Sequence, residues 1–251
     1  MNTIQSRKTV RRGQSGFTII ELMIALLIGL FLLGGLLTIV QDNRRVFGNQ
    51  NQLAQLQDNE RLALTMMTDV IQMAGYFPDP TSNSAQSTML AITTPTMVAG
   101  QAITGLSNAT APGDTITVRY TTSGSDGILS CTGTSTTGGN FTYTNTFSVV
   151  VNASGVGQLV CTRENGVQYP LVNGVTNLTV LYGVNTTGGG NNVDTYMSAG
   201  LVNSTSNWNN VISVNIALTF TNPLYVATAP QGQPQTFVLQ RNVAVMNQTG
   251  L

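Results

Sequence analysis

Glu21 is the residue of this chain whose position asks most of its surroundings. It lies four residues into an apolar run that begins at Phe17, and every residue from Leu22 to Leu37 is apolar or glycine. An unpaired carboxylate there costs several kcal/mol, a cost that an opposite charge can offset. The other groups able to do chemistry are few. Cys131 and Cys161 are the two cysteines, and Asp114, Asp126, Glu164 and Asp194 are scattered beside turn-forming residues. The sequence contains no histidine. That removes the commonest general base and any Ser–His or Cys–His nucleophile pair. It also leaves two thiols short of a zinc ligand set. Gly188-Gly189-Gly190 lacks the Lys-Ser/Thr and the strand–helix setting of a phosphate loop. Asn191, Asn192 and Asp194 could contact calcium or form a solvated loop, and both readings stay open. No carboxylate pair of the kind that hydrolyses glycosides stands out. The expectation is no enzyme, no metal and no cofactor.

The elements around Glu21 explain why an acid is placed there. A helix from Phe17 to Val40 is about 36 Å long, enough to cross a bilayer. Arg7, Lys8, Arg11 and Arg12 precede it without an acidic residue, the pattern that keeps an N-terminus cytoplasmic and exports the chain beyond the helix. No small-residue cleavage site comes after the apolar run; Gly13, Ser15 and Gly16 lie before it. Ten Lys+Arg face ten Asp+Glu, but without the first sixteen residues six face ten, a net −4. Such a chain has no basic face for nucleic acid.

Beyond Val40, apolar residues recur at helical spacing as Val46, Leu53, Leu56, Ala63, Met67, Val70 and Ala74. No proline occurs between Phe17 and Phe77, so one helix is predicted from Phe17 to Ala74, with Gly75 as its cap and Pro78 and Pro80 past its end. The segment 81–110 reads as an irregular connection holding one short strand at most. Strands are predicted at Thr115–Thr121, Ile128–Cys131, Thr146–Val151, Gln158–Arg163, Leu178–Tyr182, Val211–Thr219 and Phe237–Val245. Asn152-Ala153-Ser154-Gly155 reads as a hairpin turn, and 133–140 and 185–194 as loops. The fold class is α+β: a long N-terminal helix, half transmembrane and half amphipathic, packed on an antiparallel sheet. In an exported head the first reading of Cys131 and Cys161 is a disulfide. It would close a loop of about 30 residues and add roughly 3–4 kcal/mol. Two unpaired buried thiols are the alternative. Trp208, near the start of a strand, reads as core.

A basic leader followed by Gly16-Phe17-Thr18-Ile19-Ile20-Glu21-Leu22 resembles the class III signal of type IV prepilins and pseudopilins. The resemblance implies a leader of residues 1–16, cut after Gly16 by a membrane aspartyl prepilin peptidase, with N-methylation of Phe17. It implies that the Glu21 carboxylate meets the Phe17 amine of a neighbouring subunit during assembly. Residues 17–40 would be the transmembrane and filament-core helix, 41–75 its amphipathic continuation and 76–251 the β-rich head. Many pilins carry a proline near the position of Thr38. Here Gly34-Gly35 stand instead, as a weak point in the helix or as a close-packing surface.

The head resembles the PilW-type minor pilins. The resemblance rests on Leu129-Ser130-Cys131, Leu159-Val160-Cys161, Leu171-Val172-Asn173-Gly174-Val175, Trp208 to Val214 and Leu239-Gln240-Arg241-Asn242. It implies a low-abundance subunit that joins other minor pilins and the major pilin, works with the inner-membrane assembly platform and helps prime a pilus, with a tip adhesin as one further partner. Precursor in the inner membrane and surface pilus after assembly are the implied locations. A type II secretion pseudopilin of the J type has the same leader and a similar head, and a membrane-tethered binding module or enzyme is the third reading.

Overall fold

The computed structural model describes residues 16–188, 192–228 and 232–246. The leader residues Arg7, Lys8, Arg11, Arg12, Gly13 and Ser15 lie outside them, as do Gly189, Gly190 and Asn191. The chain divides into two units between Asn51 and Gln52.

Helix α1 spans Ile19–Gln72, two residues inside the predicted bounds at each end. Its end is set by a turn over Met73 to Gly75. Gly75 takes φ 78°, a conformation glycine adopts without a Cβ clash. Its N–H leaves the helix and donates to Arg119 O at 2.9 Å. In the first unit the apolar side chains are exposed, Phe17 at 85% and Phe31 at 82%. In the second, Ala63, Leu64, Met67, Val70 and Ile71 form the buried face of the helix. The predicted stripe began earlier, at Val46, but Val46 belongs to the first unit and is exposed.

The strands make three antiparallel groups rather than the single sheet expected. β1 (Ile92–Thr93) and β2 (Thr96–Met97) form a small hairpin. β3 (Ile103–Leu106), β4 (Thr115–Thr122), β5 (Phe141–Val151), β6 (Gly157–Thr162) and β7 (Gln168–Asn173) form a five-stranded sheet in chain order. β8 (Val175–Val184), β9 (Thr195–Met197), β10 (Val211–Thr221) and β11 (Thr236–Ala244) form a four-stranded sheet in the order β11-β10-β8-β9. Between β1 and the end of α1 lies α2 (Ala85–Thr88), and α3 (Ala199–Ser204) comes after β9.

A single residue carries the chain from one large sheet to the other. Gly174 separates β7 from β8 at φ 86°. Its N–H donates to Gly157 O of β6 at 2.8 Å and its carbonyl accepts from Thr221 of β10 at 2.9 Å. The turn thus has partners in both sheets, which keeps this half-buried corner hydrogen-bonded. Period-two alternation then sends Ile116, Val118 and Tyr120 of β4, Phe147 of β5, and Val214, Ile216, Leu218 and Phe220 of β10 into one core shared with Met67 and Ile71 of α1.

Three expectations are corrected. Ile128–Cys131 is a loop, not a strand. Side chains take three of its polar groups in place of a ladder: Ile128 N–H by Asp126, Leu129 O by the Tyr120 hydroxyl at 2.6 Å and Cys131 N–H by Asn145 at 3.1 Å; Ser130 N–H turns back to Thr134 O at 2.9 Å. The segment 81–110 is more ordered than expected, holding α2, the β1–β2 hairpin and β3. It bonds to the outer face of the five-stranded sheet through Leu90 O and Thr88 O, and it buries Met89 and Met97. Strands β7 and β9 were not expected; both are short, with half of β7 and most of β9 exposed, so only a weak pattern announces them.

Candidate assembly site

Thr18 caps α1. Its hydroxyl accepts from Glu21 N–H at 3.4 Å, while its carbonyl accepts from Glu21 and Leu22 N–H at 3.1 and 3.2 Å. Thr18-Ile19-Ile20-Glu21 is therefore the Thr-x-x-Glu signature of a helix N-terminus, a role for Thr18 that the apolar run around it obscures in the sequence. Glu21 stands in the first turn, where a negative side chain opposes the positive end of the helix dipole. Its side chain is exposed. No ion pair reaches it among the described residues, since the salt bridge found there joins Arg163 and Glu164. A cation for Glu21 must come from outside this chain's described residues.

Behind Glu21, α1 is long and apolar enough to cross a membrane, and none of its most apolar stretch is buried against this chain. A methyl group added at Gly34 or Gly35 would meet nothing within 4 Å. The Thr38 hydroxyl donates to Gly34 O at 3.0 Å, so the helix is continuous through the position where many pilins carry proline.

In the head, Cys131 and Cys161 are joined by a disulfide with 6.5 Å between Cα atoms, and both are buried. It fastens the loop at 128–131 to β6. The four scattered carboxylates serve their own surroundings. Asp114 accepts from Asn108 and Val180 N–H, both at 2.8 Å. Asp126 accepts from the Thr122 hydroxyl and from Ser123 N–H. Glu164 pairs with Arg163 at 2.7 Å. Asp194 Oδ2 takes the N–H and hydroxyl of both Thr186 and Thr187, and the Thr187 N–H leads in holding its carboxyl below the usual range. That carboxylate organises a turn. Asn192 is exposed, and no cluster of three metal-ligating side chains forms among the described residues. Trp208 is half-buried rather than core: it packs on Tyr182 and lines a cavity. Its neighbours Asn209 and Asn210 were the available signal, since an indole among amides is unusual company for a core residue.

Two family matches bear on this arrangement. Residues 11–37 match the prokaryotic N-terminal methylation motif, which spans Gly16, Phe17, Glu21 and most of the apolar run. Residues 146–250 match the family described as Type IV Pilus-assembly protein W, which takes in most of β5 and every strand after it. Together the two matches support a PilW-type minor pilin. No curated protein and no solved structure matches it. As a pilin of this type it is membrane-anchored through its N-terminal apolar helix and acts with pilus components. The PilW match begins inside β5, so the 81–110 cover over the five-stranded sheet lies outside it.

Proposed function

We propose that this PilW-type pilin takes part in type IV pilus assembly as a non-enzymatic structural subunit of a tip or priming complex, beside other minor pilins and the major pilin. The reading rests on one observation above others: an exposed apolar helix whose first turn holds a carboxylate without a cation of its own. Prepilin peptidase cuts after Gly16 and Phe17 is N-methylated. Before assembly the helix sits in the inner membrane, N-terminus cytoplasmic and head periplasmic. On transfer into the filament at the cell surface, residues 17–40 exchange lipid for neighbouring helices, so their apolar area is buried in both places. Glu21 then meets the Phe17 amine of an adjacent subunit, and a mismatch of that pair by even one subunit step leaves a buried charge uncompensated.

Two measurements test this. Lys8 is the only lysine in the sequence, so cleavage after Gly16 removes every side-chain amine. An amine-reactive reagent should then label the processed chain at Phe17 alone, and label remaining at Lys8 would show that the cut does not occur there. Second, the gene is deleted in a strain unable to retract pili, and surface pili are counted by electron microscopy. A sharp fall restored by wild type and not by Glu21→Ala is the expected result. Unchanged pili with lost enzyme secretion would instead assign the protein to a secretion pseudopilus.

A further inference from the structure

A cavity of about 240 Å³ opens between the β1–β2 cover and the turn after α3. Thr96, Val98 and Gln101 form one wall; Asn203, Ser206, Trp208 and Asn209 form the other. We infer that this cavity binds a single neutral sugar ring, a function separate from the building of a filament.

The lining chemistry carries the inference. None of the seven side chains is charged, so a nucleotide, an acidic peptide or a metal ion would lose its hydration with no opposite charge to meet. What the walls offer is amides, hydroxyls and one indole. An indole face is electron-rich and attracts the weakly positive C–H groups on the flat side of a pyranose. Side-chain amides both donate and accept, which suits hydroxyls that do the same. The volume is below the roughly 300–1,000 Å³ of sites for drug-sized ligands, which suits one ring rather than a chain.

The site is also held in place before any ligand arrives. Tyr182, fully buried, meets Trp208 edge to face with centroids 5.0 Å apart and planes at 83°. Gln101 is 5% exposed; its carbonyl oxygen accepts from Val98 N–H at 3.1 Å and its amide donates to Ile103 O at 2.9 Å. Those bonds fix one wall. On the other wall, the Asn209 amide and the Ser206 hydroxyl have no partner among the described residues, so they are free for a ligand. Ser206 holds φ 56°, one of two non-glycine residues with positive φ among those described. Such a conformation is disfavoured for a residue with a side chain and persists where surroundings impose it, often at binding sites.

Trp208 is the only tryptophan, so its emission reports on this cavity alone. The full chain is held in a zwitterionic detergent without a sugar head group and titrated with D-glucose, D-galactose and N-acetyl-D-glucosamine into the tens of millimolar. At least one should shift the emission saturably. Asn209→Ala, at an exposed position, should weaken that binding about fivefold, the loss of one hydrogen bond, with an unchanged thermal unfolding curve. No saturable shift with any of the three sugars overturns the proposal. So does a shift that Asn209→Ala leaves intact, or one produced by an acetylated, amidated tripeptide and by none of the sugars. The last result would make the cavity a docking point for a protein partner.

Discussion

The carboxylate of Asp114, just before β4, accepts the main-chain N–H of Val180 in β8 at 2.8 Å. Beside it Asp114 N–H donates to Leu178 O at 2.7 Å, and Gly113 passes so close to Leu178 that a Cβ there would collide with its carbonyl. The two large sheets are therefore sewn together at a second seam, opposite in kind to the Gly174 corner. Asp114→Ala leaves the N–H groups of Asn108 and Val180 without their acceptor and should cost about 1.5–3 kcal/mol. Urea unfolding of the detergent-solubilised chain would show it as a lower midpoint with an unchanged slope. A cost under about 0.5 kcal/mol would mean that water replaces the carboxylate.

The disulfide is a second local contribution to the stability of the head. Its residues are 30 apart, so on the chain-entropy account reduction should remove about 3–4 kcal/mol. Cys131→Ser with Cys161→Ser should lower the unfolding midpoint to match the reduced wild type. The loop at 128–131 should then gain protease sensitivity ahead of the sheets, because its other fastenings are side-chain hydrogen bonds. Equal proteolysis rates with and without the bond would contradict that role.

Acid should weaken the head through turns built on carboxylates with lowered pKa values, Asp194, Asp126 and Asp79. Hydrogen bonds led by Thr187 N–H hold Asp194 below the usual 3.8. For Asp126 burial pushes upward, but the bonds from Thr122, Ser123 and Ile128 together outweigh it, so it too lies low. Groups with lowered folded values bind fewer protons folded than unfolded. Their contribution is present in full above about pH 4 and is lost as pH falls through the folded values. Melting temperature tracked from pH 7 to pH 2 should drop below pH 4, and Asp194→Asn should flatten that limb. An identical acid limb in the variant would assign the drop elsewhere.

Arg119 is a buried cation with little to hold it. It is 1% exposed and Nη2 donates to Leu90 O at 2.6 Å, while Nε and Nη1 have no acceptor among the described residues. Burial lowers its pKa. Arg119→Met keeps the volume and removes the charge, so stability should hold or rise. Arg119→Ala should cost about 2–4 kcal/mol through the space it leaves. A loss of more than about 2 kcal/mol in the Met variant would show that the charge itself stabilises the cover.

How far the sequence can be read depends on how local the forces are. The long helix was legible because its causes lie within a few residues: an apolar run, no proline, and Gly75 after it. Strands with clear alternation, such as Val211–Thr221, were legible for the same reason, and so was the Asn152–Gly155 hairpin, where Asn152 accepts from Ser154 and Val156 N–H. The loop at Ile128–Cys131 was misread because its β-type residues find partners that are side chains from β4 and β5. The 81–110 cover was underestimated because α2 is one turn held by a Ser84–Ser87 capping box, and its hairpin strands are two residues each.

By itself the sequence determined that this chain has a membrane-length helix with an acid in its first turn, a β-rich head behind it and a leader of the prepilin kind. Those depend on composition and spacing along the chain. Only the tertiary structure decided that the head is two sheets with corners at Gly174 and Asp114, that a cover lies over Arg119, and that Trp208 faces a cavity. Each of those depends on groups far apart in sequence, 66 residues in the case of Asp114 and Val180. Which distant N–H an acid meets is set by how the whole core closes, and no short stretch of residues encodes it.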